Sequence, residues 1–210
     1  MSQYFYRFFK TNDRRDQFIS GSIRFVNIEE YKEIEDAQRR DEDEGEPKGK
    51  YQADRQVLKI SPETGSLIES EYQFGDVNIS GSSMNKFFVV CMSDKGANLQ
   101  LLSEKFGKYI VRVNDIEKLL HLLNIARRKI SWSVGKIMFT QVKYDRGNYL
   151  QMNEGDPHLP FEYYYAQKSE NFASEVEWRL VLIGGLEAAG RREKFIEVGS
   201  LEKIVTKIDL

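Results

Sequence analysis

Cysteine and histidine are almost missing: the 210 residues hold one Cys and two His. A single thiol forms no internal disulfide, and one Cys with two His falls short of a structural zinc site. Four prolines and 15 glycines are too few for a collagen-like or low-complexity chain. Long apolar runs are absent too. The longest, residues 87–92 and 180–183, fall far short of the ~20 needed to span a bilayer, so no membrane partner is expected. The first ten residues lack a charged segment followed by an apolar one, so no secretory signal is expected either. Lys+Arg 31 against Asp+Glu 33 gives a net charge of −2, which excludes a global polycation. G-x-G-x-x-G, P-loop and G-x-S-x-G patterns are lacking. What is present, 40% hydrophobic and 12% aromatic residues, suffices to bury a core of ordinary size. The expectation is one cytoplasmic domain spanning residues 1–210.

Along the chain the pattern reads as α+β, with strands in the majority and mostly antiparallel. Tyr4-Phe5-Tyr6-Arg7-Phe8-Phe9 is aromatic on both faces, as a buried strand would be. Thr11-Asn12-Asp13 opens a short helix that Gly21 ends. Residues 22–26 read as a strand and 28–38 as a helix. Residues 39–50, Arg-Arg-Asp-Glu-Asp-Glu-Gly-Glu-Pro-Lys-Gly-Lys, contain nothing apolar and read as a mobile charged loop. Short strands are expected at 56–60, 67–70 and 72–74, and a central strand at 87–92. A helix is expected at 98–106 and a strand at 108–113. Asn114-Asp115-Ile116-Glu117 has the capping-box spacing, with Asn114 as N-cap, opening a leucine-rich helix to about 128. Further strands are expected at 137–143, 175–183 and 194–197, with a C-terminal one at 204–208.

The stretch Ser174-Glu175-Val176-Glu177-Trp178-Arg179-Leu180 is the most informative. As a strand it puts Val176, Trp178 and Leu180 on one face and Glu175, Glu177 and Arg179 on the other. Two neighbouring carboxylates resist joint ionisation unless a cation compensates. A solvated edge strand fits the pattern, but residues 180–183 are apolar on both faces, as in an internal strand. Arg7 sits among aromatics and needs an anionic partner, either a structural carboxylate or a ligand phosphate. Ser93 lies at the end of the central strand, where polar residues meet ligands. Cys91 reads as core, and neither His121 nor His158 reads as a base. Arg127–Arg128–Lys129 and Arg191–Arg192 are local basic clusters, each a candidate phosphate contact but most simply a solvated helix end or turn; with Arg39–Arg40 they are the candidates to hold a nucleic-acid backbone.

Taken in order, several segments carry a resemblance. They are Tyr6-Arg7-Phe8, Gly21-Ser22-Ile23-Arg24-Phe25, Val90-Cys91-Met92-Ser93, Tyr165-x-x-Lys168 and Glu175-x-Glu177-Trp178-Arg179-Leu180. Together they resemble a widespread bacterial family of uncharacterised domains, over most of the chain. Within it, Tyr31-Lys32-Glu33-Ile34-Glu35-Asp36 to Gly45 is similar to a subgroup with a Y-R-x-I-E-D segment. The order Arg, Ser, Glu-x-Glu also resembles the arginine-serine-glutamate group of ADP-ribosyltransferases. Where that group has Ser-Thr-Ser, this chain has Cys91-Met92-Ser93. The resemblance implies a split β-sandwich with flanking helices, and NAD as substrate without a metal. It implies that Arg7 binds NAD, Ser93 braces the site and Glu177 is the catalytic carboxylate. Glu175 would orient the acceptor and take its proton. Tyr6 and Tyr165 are further NAD-contacting candidates, and the stacking aromatic is open among Phe161, Tyr163, Tyr164, Tyr165 and Phe172.

The expected activity is therefore NAD-dependent ADP-ribosyl transfer, of the kind used by bacterial toxins and phage-defence effectors. The acceptor is a nucleic acid such as RNA, or a protein, and a toxin would have an antitoxin partner. Two other readings stand beside it. One is a non-catalytic binding module in which Glu175, Glu177 and Arg179 form a structural ion-pair row and the charged loop meets a partner. The other is an NAD glycohydrolase with water as acceptor. Convergence of Arg7, Ser93 and Glu177 on one cleft separates the enzyme from the binding module.

Overall fold

A computed structural model describes residues 3–33, 48–60, 67–80, 85–144 and 162–210. The architecture is α+β, with an eight-stranded, mostly antiparallel sheet and a separate two-stranded ribbon. Strand β1 (Phe5–Phe9) leads into helix α1 (Asn12–Ser20). Thr11 caps α1 by accepting from the Arg14 N–H, and Gly21 ends it in the left-handed region at φ 99°. Only glycine fits there, since a Cβ would lie 1.9 Å from the Gly199 carbonyl oxygen. Strand β2 (Ser22–Asn27) follows directly.

Residues Ile28–Glu33 form a 3₁₀ turn where the α-helix was expected; the rest of that expected helix lies outside the described residues. So does most of the expected charged loop: residues 48–50 of it already belong to β3 (Lys48–Ile60). β3 pairs with β4 (Leu67–Ser80) as a ribbon of 13 and 14 residues. The sequence foretold only fragments of it, because neither strand has the sustained apolar alternation that marks a half-buried strand.

The centre of the sheet is β5 (Lys86–Asp94). Helix α2 (Leu99–Phe106) and strand β6 (Tyr109–Val113) come next, then helix α3 (Ile116–Arg127) and strand β7 (Ser133–Gln141). The cap of α3 is Asp115, whose carboxylate accepts from the Lys118 N–H at 2.8 Å. Asn114, the expected cap, is used elsewhere: it accepts from Arg112 and donates to Thr206. A one-turn helix α4 (Tyr163–Ala166) and a 3₁₀ turn (Glu170–Glu175) precede β8 (Glu177–Gly184). Strands β9 (Glu193–Glu197) and β10 (Val205–Ile208) complete the sheet.

Strand pairing explains where a site can form. One edge of β5 is covered by β8 from Lys86 to Ser93, with β7 beyond it. The other edge is shared. β1 pairs with β5 only at Ser93 and Asp94, and β2 only at Phe88 and Val89. Both strands then diverge from β5 while keeping their outer partners, β6 along all of β1 and β9 along β2 from Ser22 to Val26. Residues 90–92 therefore have no strand partner on that edge, and their backbone groups must bond to something else.

Alternation divides the side chains of β5 and β8 between two faces. Phe88, Val90, Met92, Leu180 and Leu182 join the larger core with Leu119, Leu123 and Trp132. Phe87, Val89, Val181 and Ile183 form a smaller core with Ile28, Tyr165 and Ala166. Trp178 shares the first face, as expected, and lies between Phe5 and Phe139. Among the described residues, no helix is long and apolar enough to cross a membrane.

Candidate functional site

A cavity of about 540 Å³ opens where β1 and β2 part from β5. Arg7, Ser93, Glu175 and Glu177 all line it, together with Cys91 and Lys168. Register accounts for the convergence. Tyr6 stands opposite Ser93 on β1 and β5, and Ser93 stands opposite Glu177 on β5 and β8. Two strand spacings separate the outer pair, about 10 Å between Cα atoms. The separation is well within one dinucleotide's reach.

Arg7 fills the gap left by the split. Its Nη1 donates to the carbonyl oxygen of Cys91, one of the residues without a strand partner on that edge. Its guanidinium lies 5.7 Å from the Phe9 ring centroid. Its Nε is buried without a hydrogen-bond partner, and no carboxylate pairs with it among the described residues. Lys10 and Arg14, which line the same cavity, also have no carboxylate partner among the described residues. Arg14 rests over the Phe195 ring. Phe8, Phe9, Phe18, Phe106 and Phe195 supply the aromatic lining.

The acidic wall is built differently from the expected strand. β8 begins at Glu177, while Glu175 ends the preceding 3₁₀ turn. Val176 between them is left-handed, at φ 43° and ψ 50°, a strained backbone for a β-branched residue. Its carbonyl accepts from the Asp94 N–H at 3.1 Å. Regular alternation therefore stops at Glu177, and the expected common face of Glu175, Glu177 and Arg179 holds only for the last two.

Both glutamates are buried and both are compensated. Glu177 Oε1 accepts from Arg179 Nε at 2.7 Å, and its Oε2 lies 2.8 Å from Lys168 Nζ. Glu175 Oε1 lies 2.6 Å from Lys105 Nζ, and its Oε2 lies 2.8 Å from Lys168 Nζ. Burial pushes the Glu177 carboxyl up, but Arg179, Lys168 and hydrogen bonds from Arg179 and Cys91 outweigh it. The carboxyl is held well below its ordinary range. Burial pushes the Cys91 thiol up to about 12, and the charge of Glu177 adds to that. Cys91 is therefore a neutral hydrogen-bond donor, not a nucleophile. The Tyr144 hydroxyl accepts from the Glu177 N–H at 2.7 Å. Burial, then the charge of Glu177, raises its pKa. The Arg179 side chain is 1% exposed and also donates to the Tyr165 carbonyl at 2.8 Å.

Tyr6 and Tyr165 lie outside the cavity lining. Tyr6 alternates to the side opposite Arg7 and meets Tyr4 edge-on. Tyr165 belongs to the smaller core, 5.3 Å from Phe87 between ring centroids. Tyr164 stacks on Phe87 as well, and Phe172 lies against Lys105 and Lys168. Phe161, His158 and the Arg39–Arg40 cluster lie outside the described residues, as does the side chain of Tyr163. His121 is exposed on α3, remote in sequence from every lining residue.

Sequence reasoning missed Lys105, Tyr144 and the aromatic lining. Lys105 has no signal of its own, since a lysine late in a short helix reads as a solvated cation. Lys168 was legible as part of a motif, though without a role. No cluster of three or more His, Cys, Asp and Glu that could hold a metal occurs among the described residues. Comparison of the chain with models of protein families, with curated proteins and with solved structures gave no match.

Proposed function

We propose that this protein is an NAD-dependent ADP-ribosyltransferase, built on a split β-sandwich and acting in the cytoplasm as a toxin or phage-defence effector. The single observation that carries the reading is the meeting of Arg7, Ser93 and Glu177 in one cavity between diverging strands. Chemistry agrees with it. Breaking the bond between ribose C1 and the nicotinamide nitrogen passes through an oxocarbenium-like state, comparable with glycoside cleavage. A carboxylate kept ionised inside a cavity stabilises that developing positive charge most at the transition state. Glu177 is such a carboxylate. Nicotinamide leaves as a neutral molecule with the bonding electron pair, the acceptor's nucleophilic atom bonds C1 in its place, and the proton that atom sheds passes to water.

The same cavity supplies cations. Arg7, Lys10 and Arg14 have no carboxylate partners among the described residues, and a guanidinium fork suits a pyrophosphate. Phe9, Phe106 and Phe195 offer flat apolar surface for nicotinamide or adenine. A non-catalytic module has one observation in its favour: every oxygen of Glu175 and Glu177 already faces a cation. The arrangement can be purely structural, so the activity itself is the arbiter.

The test is purified protein with NAD labelled in its adenylate half, incubated with cell extract. Transferase activity puts label on macromolecules, and nuclease or protease digestion then identifies RNA or protein as acceptor. An RNA acceptor makes labelling fall steeply with salt. Nicotinamide release without transferred label points to a glycohydrolase. Intact NAD after prolonged incubation with each acceptor fraction removes the enzyme reading and leaves the binding module, whose antitoxin-like or other partner would then be sought directly.

A further inference from the structure

Five side chains of alternating charge run through the site. Lys105, Glu175, Lys168, Glu177 and Arg179 follow one another at 2.6, 2.8, 2.8 and 2.7 Å. They come from separate pieces of chain: α2, the 3₁₀ turn before β8, the segment after α4, and β8 itself. Lys168 is the middle link, and its side chain is 9% exposed.

We infer that Lys168 is the positioning residue of this site, with Glu175 as its anchor, so that Glu177 is the one carboxylate left for chemistry. The inference rests on the ADP-ribosyltransferase reading and revises the part expected of Glu175. Three features carry it. First, Lys168 bonds Glu177 Oε2 and Glu175 Oε2 at the same 2.8 Å, which fixes the ammonium between the carboxylates. Second, both Glu175 oxygens are held by ammonium groups, from Lys105 and Lys168. Glu175 is thus tied to ammonium groups from two other pieces of chain, as an anchor would be, whereas Glu177 shares Lys168 with it and is otherwise held by Arg179 of its own strand. Third, Phe172, on the same turn as Glu175, presents its ring to both lysines, at 5.2 and 5.1 Å. The turn therefore binds the two cations twice, by an anion and by a π face.

The groups facing Glu177 define what its titration reports. Arg179 lies on its own strand and Lys168 on the segment after α4. The Cys91 thiol faces it from β5, and the Tyr144 hydroxyl meets its backbone N–H. Glu175, Arg7, Lys10, Arg14, Arg24 and Glu30 are the remaining charged residues lining the same cavity. Among the described residues, removing Lys168 leaves Arg179 as the sole cation bonded to Glu177.

The experiment titrates the Glu177 carboxyl by carbon-13 NMR without NAD, in the wild type, Lys168→Met, Lys168→Arg and Glu175→Gln. Nicotinamide release and label transfer are followed in parallel. Loss of the ammonium raises the Glu177 pKa by about one unit or more in Lys168→Met, with much of the shift rescued in Lys168→Arg. The acid limb of nicotinamide release moves up with it, kcat falls, and KM for NAD changes little. Glu175→Gln lowers NAD cleavage and transfer together, because Lys168 loses its anchor; in the titration the lost negative charge opposes the loss of that anchor, so Glu177 moves less than in Lys168→Met. An unmoved Glu177 titration in Lys168→Met overturns the proposal. So does a Glu175→Gln protein that cleaves NAD normally but no longer transfers, because Glu175 would then be the acceptor's base. If no variant cleaves NAD while the titrations shift as stated, the positioning holds and the reaction reading fails. Should Lys168→Met not fold, Lys168→Gln, which also removes the ammonium, carries the same titration test.

Discussion

Strands β5 and β8 show two faces with opposite uses of the same register. On one face, Phe88, Val90, Met92, Leu180 and Leu182 are buried among aliphatic and aromatic side chains. On the other, the apolar side chains stop halfway. Phe87, Val89, Val181 and Ile183 occupy one end, while Cys91, Ser93, Arg179 and Glu177 occupy the other. Burial is nearly as complete at the polar end: Ser93 is 5% exposed, Glu177 3% and Arg179 1%. Packing removes water equally from both, but one region uses that exclusion for stability and the other to strengthen charge. A buried ion pair adds little net stability over an apolar pair of the same volume. The proposed active site would use such a row of charges, whereas folding alone would be served as well by apolar side chains.

That contrast can be broken from either side. The largest effect belongs to the apolar face. Phe88→Ala lowers stability by about 3–5 kcal/mol through lost burial and a residual cavity. The check is urea denaturation, alongside per-molecule NAD turnover that stays close to wild type in the folded fraction.

At the polar end, removing the Glu177 charge leaves buried Lys168 and Arg179 under-compensated, at a cost of about 3 kcal/mol. The pH dependence has a definite sign. The folded pKa of Glu177 is depressed below its ordinary 4.5. Its contribution is thus fully present above the unfolded value and lost as pH falls below it. Between about pH 5 and 3 the wild type should lose stability more steeply than Glu177→Gln, as read from denaturation midpoints.

Arg7→Gln removes a charge-assisted donor worth about 1.5–3 kcal/mol. KM for NAD should rise about 10- to 100-fold. The lost bond to the Cys91 carbonyl lowers the melting temperature only slightly. An unchanged KM in steady-state kinetics would leave Arg7 as a backbone filler in the split and nothing more. Smallest is Val176→Gly. A left-handed non-glycine residue costs about 1–2 kcal/mol, and glycine loses about 0.5–1 kcal/mol in entropy. Stability should then stay within about 1 kcal/mol of wild type, whereas an ordinary strand Val→Gly is clearly destabilising.

How much of this was legible beforehand differs between the same two regions. The apolar face was readable because β5 and β8 announce themselves as uninterrupted apolar runs, and because Trp178, Leu180 and Leu182 keep a strict period of two. Thr11 and Gly21 likewise marked the ends of α1 by local chemistry alone. Arg7, Ser93 and Glu177 were found as types in an order, but their meeting depends on non-local pairing that no local pattern encodes. Glu175 was misplaced because the left-handed Val176 breaks the alternation, and valine gives no warning of a positive φ. Lys105 reaches Glu175 across 70 positions of sequence, and that contact exists only once α2 has packed beside β1. Of the long ribbon of β3 and β4 only the fragments 56–60, 67–70 and 72–74 were foretold, for want of sustained apolar periodicity.

The most direct measurement is nicotinamide release from NAD by the purified wild type beside Glu177→Gln, both shown to be folded by circular dichroism at pH 7. The account predicts release by the wild type and a fall of about 10³-fold or more in the variant, the scale of losing a preorganised charge at a transition state. Equal release from the two proteins, or none from a folded wild type, would contradict it.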